Sequence, residues 1–358
     1  MRLLLPTIAA AGMAAATYPS GKPPFVVENV VAFGDSYTDA GRLSAYITNN
    51  GSTPPPATDT STGNFTSTGG YVWGQFATQE LGAKFYDYAG INSLTTFHLL
   101  SVLTVLGQHQ PNFPSVLEDE IPSFVEDVAY VNATTGTNTF YPNRAADNTV
   151  YALWIGTNDL GGDAFLTDSQ HTGLTMTDFI DCIWRVFDAI HAQGGRHFVL
   201  LNQAPLERSP LYAAPQNGGA GDNHYWPDKT RHCNNTETEQ KILEYTTNVN
   251  TMFDYGAPFQ LLVNKTRRWP ETSFTVFNVH QLMLDIYNEP EKYLDAPANA
   301  TGYYHHCDVD NKDCANSQNS LSSFMWYDEL HPSERTDEII GKEFVRVVRG
   351  NSSYATYW

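Results

Sequence analysis

VVENVVAFGDSYTD, residues 26–39, joins a β-branched, apolar run to a glycine and then to a string of polar residues. The run from Val26 to Phe33 stops abruptly at Gly34, which is typical of a buried strand. In a parallel sheet, Ser36 would then lie at the carboxyl edge, where α/β proteins bind their ligands. A Gly-Asp-Ser tripeptide alone is more often only a turn or a helix cap, so it indicates chemistry only together with partners.

Short runs of the same apolar character predict four more strands, over residues 84–88, 149–155, 197–202 and 273–278. Helical patterns separate several of these runs. Strands that alternate with helices imply right-handed crossovers. We therefore predict an α/β fold with a central parallel sheet of about five strands and helices on both faces.

Three helices stand out in the pattern. The first lies between the third and fourth strands and ends at Gly194-Gly195. A long second helix is predicted over residues 237–268, where Gly256 and Pro258 could break it, and the last helix begins at Ser333. The apolar residues of the first helix recur at helical spacing: Phe179, Ile183, Val186, Phe187 and Ile190.

The N-terminal residues have the pattern of a signal peptide. Arg2 supplies positive charge, residues 3–16 are mostly apolar, and the stretch ends in three alanines. The apolar stretch is shorter than the ~20 residues of a membrane-spanning helix, so we predict no membrane span. We predict instead a cleaved signal peptide over residues 1–16. The alternative is an uncleaved, buried N-terminal helix. Residues 17–358 are predicted to be one domain, with long polar loops at about 41–70, 210–235 and 295–325.

Charge and composition exclude several classes of protein. The 358 residues include 39 acidic and 20 basic ones, a net charge of −19, while 16% are charged and 13% aromatic. Disordered and coiled-coil proteins have more charged and fewer aromatic residues than this chain, so both classes are excluded. A surface as acidic as this one repels nucleic acid, so nucleic-acid binding is excluded as well. We predict a secreted, extracellular glycoprotein that is a monomer, with candidate glycosylation sites at Asn50, Asn64, Asn132, Asn234, Asn264, Asn299 and Asn351.

The four cysteines agree with an oxidising compartment. Cys307 and Cys314 bracket a polar, acidic loop and are predicted to form a disulfide that closes a small ring. Cys182 could pair with Cys233 or remain a buried thiol. None of the four has the paired spacing of a zinc site, and the loop 308–313 lacks the glycine of a calcium loop, so no metal is predicted.

Two further polar clusters could complete a site with Ser36. Asp328 and His331 are three residues apart, so a turn could hold the carboxylate against Nδ1 and leave Nε2 for a serine. Asn158 follows the strand 149–155 closely and would face the same sheet edge as Ser36. Each cluster alone is more often a helix cap or a turn. Together they indicate nucleophilic catalysis.

Four segments in this order and spacing resemble the sequence blocks of the SGNH, or GDSL-type, hydrolases. They are GDSYTDAGR (34–42), DYAG (87–90), GTND (156–159) and DELHP (328–332), and they span nearly the whole mature chain. The surrounding segments YDYAG, LWIGTND, FVLLNQAPLERSP and WYDELHPSE look most like carbohydrate esterase family sixteen, the secreted acetyl esterases of fungi that degrade plant biomass.

The resemblance implies a three-layer, flavodoxin-like fold with Ser36 as the nucleophile, His331 as the base and Asp328 as its partner. It also implies an oxyanion hole made of the N–H groups of Ser36 and Gly90 and the side-chain amide of Asn158. After Gly90 the chain continues with Ile-Asn-Ser instead of the small residues usual in the family, so an N–H from a neighbouring position is the alternative donor. No metal or organic cofactor is expected.

The resemblance and the predicted secretion point to a serine esterase that removes short acyl groups, chiefly acetyl, from plant cell-wall carbohydrates. Its substrate would be an acetylated oligosaccharide or another small ester. A carbohydrate is favoured by aromatic residues in segments expected at the rim of the site: Tyr37, Trp226, Trp326 and Tyr327. The alternatives are a lipase-type esterase for longer acyl chains and a secreted sugar-binding protein without turnover.

Overall fold

The computed structural model describes residues 25–90, 104–105, 108–109, 114–162, 164–232, 234–263 and 267–358. The predicted signal peptide, Cys233 and the sequon at Asn264 lie outside the described residues. Within the described part of the chain, no helix is long and apolar enough to cross a bilayer.

Six strands form the central sheet, and the five predicted runs account for five of them. In chain order they are β1 (Asn29–Gly34), β2 (Lys84–Asp87), β3 (Thr149–Trp154), β4 (His197–Leu201), β5 (Ser273–Phe277) and β6 (Ala355–Tyr357). The spatial order is β2-β1-β3-β4-β5-β6, with the first five parallel and β6 antiparallel to β5. The order 2-1-3-4-5 of the parallel strands is flavodoxin-like. The predicted fold class is confirmed.

Strand β1 lies inside the sheet and is covered on both faces. All six of its residues are buried, which is why its sequence lacks the alternation of a half-exposed strand. The strand begins at Asn29, three residues later than the predicted run, because its pairing with β3 begins there, at Thr149. Val26 lies before the strand and is exposed. The N–H groups of Glu28 and Asn29 both donate to the Asn148 carbonyl, where the pairing with the neighbouring strand ends.

Helices and short elements surround the sheet. The helices are α1 (Arg42–Thr48), α2 (Trp73–Leu81), α3 (Ile121–Ala129), α4 (Thr157–Leu160), α5 (Met176–Ala192), α6 (Lys229–His232), α7 (Asn235–Pro258), α8 (Val279–Asn288) and α9 (Glu334–Val348). Two π-helical turns, Val116–Glu120 and Phe259–Val263, adjoin α3 and α7. Small two-stranded sheets pair Thr104–Val105 with Gln108–His109, Asn299–Tyr303 with Phe324–Trp326, and His305–His306 with Ala315–Asn316.

The helices pack in two groups. α2 lies on α9, where the rings of Trp73 and Phe344 are 4.8 Å apart, and α5 packs against α3 and α7. At the second contact, a Cβ on Gly256 would come within 2.6 Å of the Trp184 ring. The interruption expected near Gly256 and Pro258 falls at the proline, where α7 ends and the π-helical turn Phe259–Val263 begins. Gly256 itself lies within α7 and makes room for the indole.

Two other local predictions are confirmed. Cys307 and Cys314 form a disulfide. Ser333 caps α9, because its hydroxyl oxygen accepts the N–H of Thr336 at 3.2 Å. Cys182 is buried on α5, and its predicted alternatives involve Cys233, which is outside the described residues.

Candidate active site

The turn after β1 holds Ser36 at the carboxyl edge of the sheet. Gly34 has a φ of +150°, and its N–H donates to the buried carboxylate of Glu120 at 3.0 Å. The N–H of Asp35 then reaches the Trp154 carbonyl of β3 at 3.3 Å. A single hydrogen-bonded turn follows, in which the N–H groups of Thr38 and Asp39 donate to the Asp35 carbonyl. α1 begins only at Arg42, so no helix starts at the serine.

The residues after strand Phe324–Trp326 form the second half of the site. The Asp328 carboxylate accepts the N–H groups of Leu330 (2.9 Å) and His331 (2.7 Å), which closes a tight turn. Within it, His331 Nδ1 lies 3.0 and 2.9 Å from the two Asp328 oxygens. On the other side of the ring, Nε2 lies 2.7 Å from Ser36 Oγ. The structure therefore brings together the three side chains that the sequence analysis selected, and all three are buried.

The electrostatics of the turn keep Asp328 ionised. Burial alone would raise its pKa, but the charge of His331 and the hydrogen bonds from His331 and Tyr225 outweigh burial, so the pKa lies below its ordinary value. An ionised Asp328 favours the tautomer of His331 that is protonated at Nδ1, and in that tautomer Nε2 can accept a hydrogen bond from the Ser36 hydroxyl. The neighbouring Asp35 differs, since burial raises its pKa to about 6.

Asn158 and Ser36 follow two neighbouring strands of the sheet that end in register. Gly34 of β1 pairs with Trp154 of β3, and Asn158 follows in α4, immediately beyond β3. The connection turns sharply at Gly156, whose φ is +126°; a Cβ there would lie 2.6 Å from the Gln203 amide. Asn158 is half-buried at the carboxyl edge of the sheet, where Ser36 lies in the turn after β1.

Gly90 follows β2, on the other side of β1. Its N–H donates to the Gly34 carbonyl at 3.2 Å, and the preceding N–H of Ala89 donates to Asp87 at 2.9 Å. Both N–H groups are therefore engaged within the protein. The next N–H along the chain belongs to residue 91, which lies outside the described residues. By contrast, no described residue accepts a hydrogen bond from the Ser36 N–H.

Comparison with known proteins identifies the family of the chain. A family model of GDSL-like lipase/acylhydrolases matches residues 30–344. The chain belongs to this family. It is 45% identical over 356 residues to an acetylesterase of Hypocrea jecorina, covering 99% of this chain and 98% of that protein. An acetylesterase of Thermothelomyces thermophilus is 25% identical over 214 residues, covering 58% and 65% of the two chains.

Two solved structures align with most of the chain at low similarity. A family two carbohydrate esterase from Clostridium thermocellum aligns with a TM-score of 0.40 at 12% identity, over 93% of this chain and 66% of that one. An extracellular lipase from Streptomyces rimosus aligns with a TM-score of 0.37 at 12% identity, over 91% and 100%. Family membership and the full-length relative identify this GDSL-family protein as a carboxylic ester hydrolase.

Tyr225 is a site residue of this GDSL-family hydrolase that the sequence reasoning did not single out. Its hydroxyl donates to Asp328 Oδ2 at 2.7 Å and lies 3.1 Å from His331 Nδ1. Tyr225 comes from the long polar loop that the sequence predicts at about 210–235, and the composition of this loop does not indicate a particular residue. The preceding Asn223 offered a weak signal, since Asx residues stabilise turns that present the residues after them.

Two of the four aromatic residues expected at the rim are interior. Tyr37 and Trp326 are fully buried. The Tyr37 hydroxyl donates to the Leu330 carbonyl at 2.7 Å, and the Trp326 indole N–H donates to the Ala300 carbonyl at 3.1 Å. Of the two, Tyr37 therefore anchors the Asp328–His331 turn through Leu330. Trp226 and Tyr327 are half-buried, as a rim position requires.

Proposed function

We propose that this hydrolase cleaves acetyl and other short acyl esters of carbohydrate alcohols through an acyl-enzyme on Ser36. The observation that carries the proposal is the chain of short contacts from Asp328 through His331 to Ser36 Oγ. The full-length relative named acetylesterase supports the short acyl group.

The proposed reaction has two halves. The Ser36 proton passes to His331 Nε2 while Oγ bonds to the ester carbonyl carbon, and the histidine then protonates the leaving alcohol as the ester C–O bond breaks. In the second half, water gives a proton to the same nitrogen while its oxygen bonds to the acyl carbon. The histidine then returns that proton to Oγ as the acyl–Oγ bond breaks and the free acid leaves. Asp328 keeps its negative charge throughout and stabilises the imidazolium.

The negative oxygen of each tetrahedral intermediate needs hydrogen-bond donors. We assign this role to the Ser36 N–H and the Asn158 side-chain amide, which share one edge of the sheet. Gly90 remains the third proposed donor, and its N–H would have to leave the Gly34 carbonyl, 3.2 Å away, when the oxyanion forms.

A cleft beside the site supports a carbohydrate alcohol. It encloses about 530 Å³ and is lined by Trp226, Glu237, Lys241 and Gly162, among others. Trp226 directly follows Tyr225, and Gly162 lies four residues after Asn158, so two walls of the cleft continue segments of the site. An indole face beside charged and hydroxyl groups suits the apolar faces and hydroxyls of a sugar ring.

We also propose that the protein is secreted and glycosylated. The signal-peptide pattern and the disulfide support an extracellular location. Asn50, Asn64 and Asn351 are exposed. Asn234 is also exposed, but it lines the cleft proposed for the substrate, and its side-chain oxygen accepts the N–H of Thr236. Asn132 and Asn299 are half-buried, and their side-chain oxygens accept backbone N–H groups in their own turns.

The test is a series of nitrophenyl esters from acetyl to octanoyl, followed by acetylated xylo-oligosaccharides. We expect kcat/KM to be highest for acetyl and butyryl esters, and Ser36→Ala to abolish turnover while the protein stays folded. Ser44→Ala, an exposed serine on α1, is the matched control and should keep wild-type activity. Values that rise steadily towards octanoyl would indicate a lipase-type enzyme. Activity of Ser36→Ala within tenfold of wild type would exclude the acyl-enzyme.

A further inference from the structure

Tyr225 is held in place by the turn that precedes it. The side-chain oxygen of Asn223, which is fully buried, accepts the N–H groups of Tyr225 (2.9 Å) and Trp226 (3.2 Å). The Tyr225 ring lies 5.6 Å from the His331 ring and 3.8 Å from that of His224. The phenol hydroxyl is thus fixed at the far side of the Asp328–His331 pair from Ser36.

The chemistry of this hydroxyl determines the direction of its hydrogen bond. Burial, together with the charge of Asp328, raises the pKa of Tyr225 well above its ordinary value, so the phenol keeps its proton. Because an ionised carboxylate can only accept, the proton points at Asp328 Oδ2. The carboxylate therefore shares its negative charge between the phenol and the imidazole.

We infer that Tyr225 is a positioning residue of the reaction, which acts through Asp328 to keep His331 an active base at acidic pH. The inference rests on the proposed function, since it assumes that Ser36 is activated by His331. A donor on the carboxylate favours its ionised form, so Asp328 resists protonation. An Asp328 that stays ionised keeps its hydrogen bond with His331 Nδ1 and so holds the imidazole towards Ser36. This effect extends activity to lower pH.

Other titratable groups face the same pair and are left unchanged by the test. Asp35 and Tyr37 approach from the turn after β1, His224 from the loop that carries Tyr225, and Tyr327 and Glu329 from the Asp328–His331 turn itself. Glu329 is fully buried and contacts His306 Nδ1. Among the described residues, only Asp328 and His331 contact the Tyr225 hydroxyl through hydrogen bonds.

The experiment compares Tyr225→Phe with Tyr354→Phe. The Tyr354 hydroxyl donates to Asp285 Oδ2 at 2.7 Å, so the control removes the same kind of bond of the same length, away from the site. The full chain is assayed with nitrophenyl acetate, and the pH dependence of kcat/KM is measured for both variants and the wild type. For Tyr225→Phe we expect the acidic limb to move up by about half a pH unit or more. Tyr354→Phe should follow the wild type.

A Tyr225→Phe profile that coincides with the wild type, or moves to lower pH, overturns the inference. So does an equal displacement of the Tyr354→Phe profile. A second comparison measures the effect of Tyr225→Phe on the rate in the Asp328→Asn variant. We expect a smaller effect there than in the wild-type protein, because the hydroxyl acts through the Asp328 carboxylate. An effect of equal size in both also overturns the inference. Failure of the proposed function is distinct, since the turnover would then survive Ser36→Ala.

Discussion

Replacing Gly34 with alanine should test how the strand end positions the nucleophile. A Cβ on Gly34 would lie 2.1 Å from the Trp154 carbonyl oxygen and 3.3 Å from Thr38 Oγ1. The first contact involves backbone of the neighbouring strand, so β1 and β3 must separate by about an ångström before an ordinary van der Waals distance is restored. Ser36, two residues further on, must move with them.

The expected loss of stability has two sources. The positive φ of Gly34 strains an alanine by roughly 1–3 kcal/mol, and overpacking a close contact costs about 1–3 kcal/mol more. The sum, about 2–6 kcal/mol, is a large part of the roughly 5–15 kcal/mol that stabilises a folded protein. Gly82→Ala is the control, since Gly82 has a φ of +67° but nothing within 4 Å of the added Cβ. It should lose only about 1 kcal/mol.

Urea unfolding, monitored by circular dichroism, gives the free energy of unfolding of each variant. The rate of nitrophenyl acetate hydrolysis per folded molecule gives its activity. We expect Gly34→Ala to lose more stability than Gly82→Ala and to lose at least about tenfold in kcat, because a nucleophile displaced by an ångström is badly aligned. Equal destabilisation of the two variants, with full activity in both, would refute the steric reasoning.

Two further predictions concern the oxyanion and a buried acid. Asn158→Ala should lower kcat by about 10²- to 10³-fold with little change in KM, because the amide acts on charge that develops in the transition state; a change confined to KM would assign Asn158 to substrate binding instead. Asp337 is fully buried in α9, and burial raises its pKa well above its ordinary value. Below the pKa that Asp337 has in the unfolded chain, its carboxyl is protonated in both states and the fold is at its most stable with respect to this group. As the pH rises from that value to the folded pKa, the free energy of unfolding falls by about 1.4 kcal/mol for each pH unit between the two pKa values. Asp337→Asn should therefore flatten the dependence of Tm on pH and raise Tm at neutral pH, whereas parallel Tm curves for variant and wild type would contradict the assignment.

The three proposed catalytic side chains could be recognised from the sequence because local rules determine their placement. Ser36 follows an apolar strand and a glycine, and parallel strands present such residues at one edge of the sheet. Asp328 and His331 are so close in the chain that a single turn joins carboxylate to imidazole. The 2.7 Å contact between His331 and Ser36, across 295 positions, additionally requires the sheet order, which the alternation of strands and helices predicts only in outline.

Tyr225 could not be recognised in this way. Nothing in its immediate neighbours distinguishes it from other tyrosines of the chain, and its partner Asp328 lies 103 residues away. Loops of this kind obey few local rules, since their course depends on what the rest of the fold leaves uncovered. The Asn223 turn explains the local conformation of Tyr225, but only the packed structure brings its hydroxyl to the carboxylate.

The sequence by itself determined the elements whose cause is local: the five buried strands, the cap at Ser333, the disulfide between Cys307 and Cys314, and the position of Ser36 at a strand end. Apolar periodicity, capping chemistry and short spacing act within a few residues, so they can be read without the fold. Only the tertiary structure decided that Gly256 lies under the Trp184 ring inside a continuous helix, and that Tyr37 is interior. The hydrogen bond from the Gly90 N–H to the Gly34 carbonyl likewise follows only from the tertiary structure. These outcomes depend on which surfaces meet when distant segments pack, and that is a property of the whole chain.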